Sequence, residues 1–456
     1  MTFSRLDMFV TSVLFLSICA LYIPAYHSIY ERHDAGVYLK VDVSTEGLPV
    51  IRDDSEEYAA LGKHVAELGM FSTDGEVPNT IRVPVYPLFL AVVYALTGSY
   101  AFVPFLQIIL VFCTSVLIYF FAVRLAEKRI AGMLASGFYL LNPSTIFYAM
   151  TVMTETLYIF LLVSFVYVVF SSSHKSIVRF VVGGLLLGAI ILTRPIGMFL
   201  PFVCIPFIVW TLRDMPWKKI LIRVSVFSLA VSVLVVPWLI RNYMVSGEPK
   251  LSSVVSYNFF YLLVPQFLAE QTGRKRVDIQ KEFVLESGNL TDRQQMDLRY
   301  SDHLDHITHP YIISNFPQYV SYHFSTIDDF FLASGLQIFY DVLLRPNYYD
   351  LDHASFPQLQ HEDHFFFSFI ELERTVVWPL LYMALIYGLW VGRKKPQVVF
   401  LITLIYYYAI LTGPVGYSRY RVPVEPWIFI LAAIGITYLG ERVYKLTMPW
   451  RRPTLD

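Results

Sequence analysis

The chain has 456 residues, of which 56% are hydrophobic and 16% charged, whereas ordinary soluble domains carry about 25% charged residues. So large an apolar surplus needs lipid as its solvent and excludes a simple soluble globule. A formal net charge of −1 creates no global field to attract nucleic acid, so what informs is where the charges sit.

Charge-poor runs of about 17–25 residues, the length that crosses a bilayer as a helix, predict spans near 8–26, 101–123, 130–147, 153–171, 178–193, 196–212, 220–240, 375–392, 397–412 and 426–440. The expected fold is therefore an all-α integral membrane protein with about ten transmembrane helices. The first run follows the basic stub Met1 to Arg5. It is long for the apolar part of a signal peptide, lacks a clear small-x-small cleavage site and is followed by more spans, so it is expected to be the first membrane helix. Cys19, Cys113 and Cys204 lie inside apolar runs and are expected to pack as small hydrophobes.

Alternate loops carry the basic residues: Arg124, Lys128 and Arg129; Lys175; Arg213, Lys218 and Lys219; Arg393, Lys394 and Lys395; Arg442, Lys445, Arg451 and Arg452. The positive-inside rule places this face, with both termini, in the cytoplasm. The charge-free stretch 83–123 is long enough for two spans, but two would carry Arg124 to Arg129 to the opposite side. Residues 84–97 are therefore expected to form a re-entrant or interfacial helix. The division that follows is an N-terminal transmembrane core (1–241) with a first external loop (27–82), a large external segment (242–372) and a C-terminal transmembrane part (373–456). Within the large segment 270–309 is strongly polar, while 311–340 alternates aromatic with polar residues, as amphipathic helices on a membrane surface do.

Chemistry belongs on the external face. In the first loop Asp53-Asp54-Ser55-Glu56-Glu57 leads into Tyr58, Leu61, Val65 and Leu68 at helical spacing, with Gly69 as the stop. Asp54 and Glu57 suit a helix cap, and a carboxylate here suits equally a general base that takes a proton from an acceptor hydroxyl. Arg194, Arg241, Arg419 and Arg421 mark external ends of spans, where the positive-inside rule would not put them. One such arginine could merely snorkel. Several on one face suit an anionic lipid headgroup, since guanidinium binds phosphate bidentately. Glu155 interrupts a long uncharged stretch at the outer end of its helix, where a solvated helix start competes with a cavity acid that orients the acceptor, Arg194 or a metal. The run Asp302-His303-x-Asp305-His306-x-x-His309 has metal-ligand spacing in a polar neighbourhood that looks like a solvated face, and Asn289-Leu290-Thr291 is formally a glycosylation sequon.

These pieces resemble, in their order along the chain, the GT-C superfamily of membrane glycosyltransferases. The similarity is to the branch of dolichyl-phosphate-mannose protein mannosyltransferases and lipid A aminoarabinose transferases. It rests on Asp53-Asp54 leading to Tyr58, then Arg82-Val83-Pro84-Val85-Tyr86-Pro87, Asn142-Pro143, Thr154-Glu155, Thr193-Arg194-Pro195, Pro237-Trp238-x-x-Arg241-Asn242 and Arg419-Tyr420-Arg421-Val422-Pro423. The large external segment shows no recognisable sugar-binding domain. The resemblance implies an inverting transfer of a sugar from a polyprenyl-phosphate donor to a lipid, glycan or protein acceptor. Asp54 is the best match for the base and Asp53 a substitute. Arg194, Arg241, Arg419 and Arg421 are then the candidates for the donor phosphate, and Glu155, Arg82, Tyr58 and Tyr86 for the cavity and acceptor. No cofactor is firmly implied, and a divalent metal stays open. Membrane lipids are the expected surroundings, nucleic acid is not an expected partner, and the expected location is a bacterial inner membrane with the active site facing the periplasm. A flippase for lipid-linked sugars, or a ligase or polymerase using undecaprenyl-diphosphate glycans, is the competing reading.

Overall fold

The computed structural model describes residues 5–34, 54–171, 176–337, 364–415 and 418–447. Asp53, Lys175, Arg451 and Arg452 lie outside the described residues. Among the described residues the regular secondary structure is helical, and its one β feature is an isolated bridge between Ser72 and Pro78. Each predicted run is occupied by helix. Six helices have the length and apolar character to cross a membrane: Arg5–Pro24, Val103–Ala126, Pro195–Leu212, Trp217–Ser246, Phe367–Gly392 and Ser418–Thr447. The pair Arg129–Leu141 and Pro143–Met150, bent by 54°, makes a seventh if it is one span. Glu155–Phe170, Ile177–Ile191 and Pro396–Thr412, three more of the ten expected spans, are apolar but shorter. The bend has a local cause. Pro143 has no N–H to continue the ladder, and it holds Asn142 in extended backbone at φ −68°, ψ 122°.

The helix Glu425–Thr447 is the axis of the molecule, with every residue from Glu425 to Gly435 buried. A helix apolar all round belongs inside a bundle, and this one packs against Trp378–Gly392 and Arg129–Leu141. Trp217–Ser246 packs on Ile177–Ile191, and Val103–Ala126 on both Arg129–Leu141 and Glu155–Phe170. The basic loops gather at one end. Lys128 pairs with Glu441 at 2.7 Å, and the Lys395 Nζ donates to the Leu125 carbonyl at 2.7 Å and to Glu127 at 3.2 Å. The 24-residue helix Val103–Ala126 separates this end from the opposite one by about 36 Å.

At that opposite end the first-loop helix forms as its periodicity predicts, over Asp54–Leu68, and stops at Gly69 with φ +66°. Residues 84–97 give the short helix Val85–Thr97, which packs on it. Beyond Ser246 the large segment folds into a layer of short helices around Phe260, Val264, Ile279, Phe283, Leu304 and Ile307. The polar stretch 270–309 is thus one face of packed helices. Ile313, Phe316 and Phe324 remain exposed, as the amphipathic pattern there requires.

Candidate active site

Helix Asp54–Leu68 is seated by three contacts. Ser55 Oγ donates to Met153 Sδ at 3.3 Å, the Tyr100 hydroxyl donates to the Ala59 carbonyl at 2.6 Å, and Gly62 lets Val85–Thr97 approach. A Cβ at Gly62 would stand 2.8 Å from both Leu90 Cβ and the Tyr100 hydroxyl, so a larger residue would force the two helices apart. Tyr58 packs edge to face on Tyr86, ring centroids 5.2 Å apart. Tyr86 is itself enclosed and donates to Gln107 Oε1 at 3.2 Å. Gln107 in turn donates to the carbonyls of Tyr148, Ala149 and Thr151 at 3.3, 3.1 and 2.8 Å. The turn that delivers Glu155 is thereby fixed to the same floor. Val85 N–H donates to the Leu192 carbonyl at 2.9 Å and ties in the segment that carries Arg194.

On this floor six charged side chains form one alternating chain. Arg82 Nε donates to Glu57 and Arg82 Nη2 to Asp54, both at 2.5 Å. Arg419 Nη2 donates to the other oxygen of Asp54 at 2.8 Å, and its Nε to Glu155 Oε1 at 2.7 Å. Arg194 Nη1 donates to that same Glu155 oxygen at 2.9 Å. The order is Glu57, Arg82, Asp54, Arg419, Glu155, Arg194, three carboxylates balanced by three guanidinium groups. Glu155 is fully buried, which a carboxylate tolerates only when paired in this way. Asp54 keeps 26% of its side chain exposed, so the chain opens to the surface there. Burial opposes the charge on Asp54, but Arg419 and Arg82 outweigh it and hold the carboxyl well below the usual carboxylate range. The Arg82 guanidinium also lies over the Tyr58 ring, 4.9 Å from its centroid.

Of the candidate residues, Asp54, Arg82, Tyr58, Glu155, Arg194 and Arg419 come together. Tyr86 lies beneath them as support. Arg241 stands apart: it donates to the Asn79 carbonyl at 2.8 Å and to Asn242 Oδ1 at 2.9 Å, and lies over the Trp238 ring at 4.8 Å. Arg421 is not brought to the chain either. Fully enclosed, it donates to Glu425 at 3.1 Å and to the carbonyls of Phe330, Phe331 and Ala333 at 3.2, 2.8 and 2.7 Å, over the Trp378 ring. Buried Glu373 accepts from the N–H groups of Gly335 and Leu336 at 3.1 Å, so two internal charges hold 330–336 by its backbone. The residues not foreseen as site members are Glu57, read as half of a cap, and Gln107, whose signal was being the one side-chain amide in an apolar run.

The histidine run is occupied otherwise. Lys250 Nζ donates to Asp302 at 2.5 Å and to Asp305 at 3.2 Å, while His306 Nδ1 lies 2.7 Å from the Asp302 carbonyl and His303 Nε2 3.3 Å from the Ser287 carbonyl. Among the described residues no three His, Cys, Asp or Glu side chains converge as metal ligands do. At Asp54 and Glu155 it is the Arg419 guanidinium that bridges the two carboxylates. Beside the site runs an apolar groove of about 740 Å³ between Pro195–Leu212 and Trp217–Ser246. Ile191 and Pro195 line the end next to Arg194, and Lys250 and Asp305 also border it.

Residues 83–247 match the family model of dolichyl-phosphate-mannose-protein mannosyltransferase. Curated proteins give no match. Among solved structures, the archaeal oligosaccharyltransferase AglB from Archaeoglobus fulgidus, in complex with an inhibitory peptide and a dolichol-phosphate, aligns over 99% of this chain at 12% identity and TM-score 0.53. An Archaeoglobus fulgidus oligosaccharyltransferase tethered to an acceptor peptide aligns over 100% at 10% identity and TM-score 0.51. This chain spans about half the length of both, 53% and 52%. ArnT from Cupriavidus metallidurans bound to undecaprenyl phosphate aligns at 12% identity over 96% of this chain and 81% of its own, with TM-score 0.39. The resemblance to the GT-C membrane glycosyltransferases is thus borne out by a family match that runs from Val83 to Gly247, and the two oligosaccharyltransferases share the fold.

Proposed function

We propose that this protein transfers a sugar from a polyprenyl-phosphate donor to an acceptor hydroxyl at the non-basic face of the membrane, with inversion at the anomeric carbon. The observation that carries this reading is the alternating chain from Glu57 to Arg194, which places a partly open carboxylate, Asp54, in line with guanidinium groups that suit a phosphate. The neighbouring groove supports a lipid donor, because its apolar wall begins next to Arg194 and offers an isoprenoid chain a place beside its headgroup.

The donor is a phosphodiester and carries one negative charge. It enters a site whose own charges cancel, and it competes with Asp54 for Arg419. Arg419 and Arg194, both oriented by Glu155, turn to the phosphate, and Asp54 keeps only Arg82. So released, Asp54 regains the basicity that the resting ion pairs suppress and takes the proton of the acceptor hydroxyl. The acceptor oxygen forms its bond to the anomeric carbon as the bond from that carbon to the phosphate oxygen breaks. The electron pair leaves with the polyprenyl phosphate, and the guanidinium groups stabilise the dianion as it develops. A phosphate leaves without protonation, so one carboxylate suffices where glycoside hydrolysis takes two.

The test is mass spectrometry of lipid-linked sugars and surface glycans from cells lacking the gene. Accumulation of one polyprenyl-phosphate sugar together with loss of that sugar from an envelope or protein acceptor supports the reading and names both substrates. An accumulated carrier trapped on the opposite leaflet, with no change in the sugar of any acceptor after permeabilisation, would favour transport instead.

A further inference from the structure

The helix Pro143–Met150 carries a side chain that the transfer reaction leaves idle. Tyr148 stands near its end, buried, and its hydroxyl has no hydrogen-bond partner among the described residues. Hydroxyls enclosed in this way nearly always find a partner, because an unpaired one forfeits its bonds to water. The backbone beneath the ring is fixed, since Gln107 donates to the carbonyls of Tyr148, Ala149 and Thr151. The ring itself packs edge to face on Phe147, with centroids 5.3 Å apart. A polar atom held so firmly and left unpaired at rest is matched to another state of the protein.

The charges around the hydroxyl identify that state. Glu155 is its strongest electrostatic neighbour, followed by Arg419, Arg194 and Glu425, and Arg419 in turn feels Tyr148 directly after Glu155 and Asp54. Tyr86 also lies within range of Glu155, but its hydroxyl is already given to Gln107. At rest Glu155 Oε1 accepts from Arg419 at 2.7 Å and from Arg194 at 2.9 Å, and Oε2 accepts from the Thr154 hydroxyl at 3.3 Å. On the transfer reading proposed above, which this role presupposes, Arg419 leaves for the donor phosphate. A fully buried carboxylate then loses a donor where water does not replace it. We infer that Tyr148 is a positioning residue whose hydroxyl donates to Glu155 when Arg419 departs. Glu155 thereby stays ionised and keeps orienting Arg194 while Arg419 serves the phosphate. The proton remains on Tyr148, and only a hydrogen bond is exchanged.

The experiment is a double-mutant cycle of thermal midpoints for the full chain in phosphatidylcholine nanodiscs: wild type, Tyr148→Phe, Arg419→Gln and both together. Tyr148→Phe alone should keep or raise the midpoint, because it removes a buried polar atom that has no partner at rest. In the Arg419→Gln background, where Glu155 is short of a donor from the start, Tyr148→Phe should lower it. An equal fall in both backgrounds marks a structural hydroxyl and overturns the inference, and so does no fall in either. Should Arg419→Gln fail to fold, Arg419→Lys takes its place with the same signs expected, since an ammonium cannot bridge both carboxylates as a guanidinium does. The second readout is undecaprenyl phosphate, titrated into the same nanodiscs. It draws Arg419 away in the wild type, so Tyr148→Phe should bind it about ten- to hundredfold more weakly. In the Arg419→Gln background Tyr148→Phe should leave that affinity unchanged. Equal affinity in wild type and Tyr148→Phe overturns the hand-over from Arg419 to Tyr148. A wild-type protein that binds no undecaprenyl phosphate refutes the donor reading instead, and the cycle of midpoints still decides Tyr148.

Discussion

Replacing Arg419 with glutamine removes the link between the two halves of the ion chain. Without it Glu155, fully buried, keeps Arg194 at 2.9 Å and the Thr154 hydroxyl at 3.3 Å, and Asp54 keeps Arg82 at 2.5 Å. Breaking a buried pair from one side costs about 3–5 kcal/mol. Each carboxylate here retains a partner, which puts the loss near the lower bound, about 3 kcal/mol, with the partly exposed Asp54 side contributing at most about 1 kcal/mol of it. Turnover should suffer more specifically. Arg419 is proposed to meet charge that develops as the phosphate leaves, and loss of one such donor slows reactions by about 10² to 10³. Arg419→Lys keeps the charge but cannot bridge two acceptors in a plane, so it should fall between the two. The assay is the rate of sugar transfer from labelled polyprenyl-phosphate sugar in reconstituted bilayers at saturating acceptor, beside the thermal midpoint of the same preparation. A folded Arg419→Gln protein with unchanged turnover would refute the role.

Arg421→Gln should behave in the opposite way: it strips three backbone carbonyls of their donor and leaves buried Glu425 with the Asn142 amide alone, at 2.5 Å, costing about 3–5 kcal/mol. The thermal midpoint should drop sharply, while the fraction that folds keeps the wild-type KM for donor. Gln107→Leu leaves the Tyr148, Ala149 and Thr151 carbonyls without their shared donor, costs about 1–3 kcal/mol, and should raise hydrogen exchange in the turn before Glu155. The pH profile follows from the depressed Asp54 pKa. Such a carboxylate stabilises the fold above its unfolded pKa of about 3.9, and that stabilisation is lost as pH falls through the lower folded value. The acid limb of kcat/KM for donor, which reports the free enzyme, should therefore lie below about pH 4. A decline between pH 7 and pH 5 would show that the resting ion pairs are not those described.

Much of this architecture was legible because membrane physics writes it plainly. Charge-poor runs marked the apolar helices, Asn142-Pro143 marked the bend, and arginines on the wrong face marked Arg194 and Arg419. What periodicity cannot show is pairing across the chain: Arg419 meets partners 365 and 264 residues away in Asp54 and Glu155. Arg419 and Arg421 looked equivalent in sequence. Two positions apart on the helix Ser418–Arg421 they point to nearly opposite sides, one to the site and one to Glu425. Helix count was only partly legible, since Glu155–Phe170, Ile177–Ile191 and Pro396–Thr412 are apolar but, at 16, 15 and 17 residues, shorter than the six helices that have the length to cross a membrane. The cap reading of Asp54 and Glu57 captured their place at the helix start. Their partner, Arg82, lies in the next turn of chain, where a cap offers no reason to look.

The most direct test of the mechanism is single-turnover transfer by Asp54→Asn in bilayers preloaded with labelled donor. With the base gone and Arg82 and Arg419 released from its charge, donor binding should be kept or tightened while transfer slows by about 10² to 10⁴. Transfer at the wild-type rate would reduce Asp54 to an acid at a helix start and contradict the mechanism at its centre.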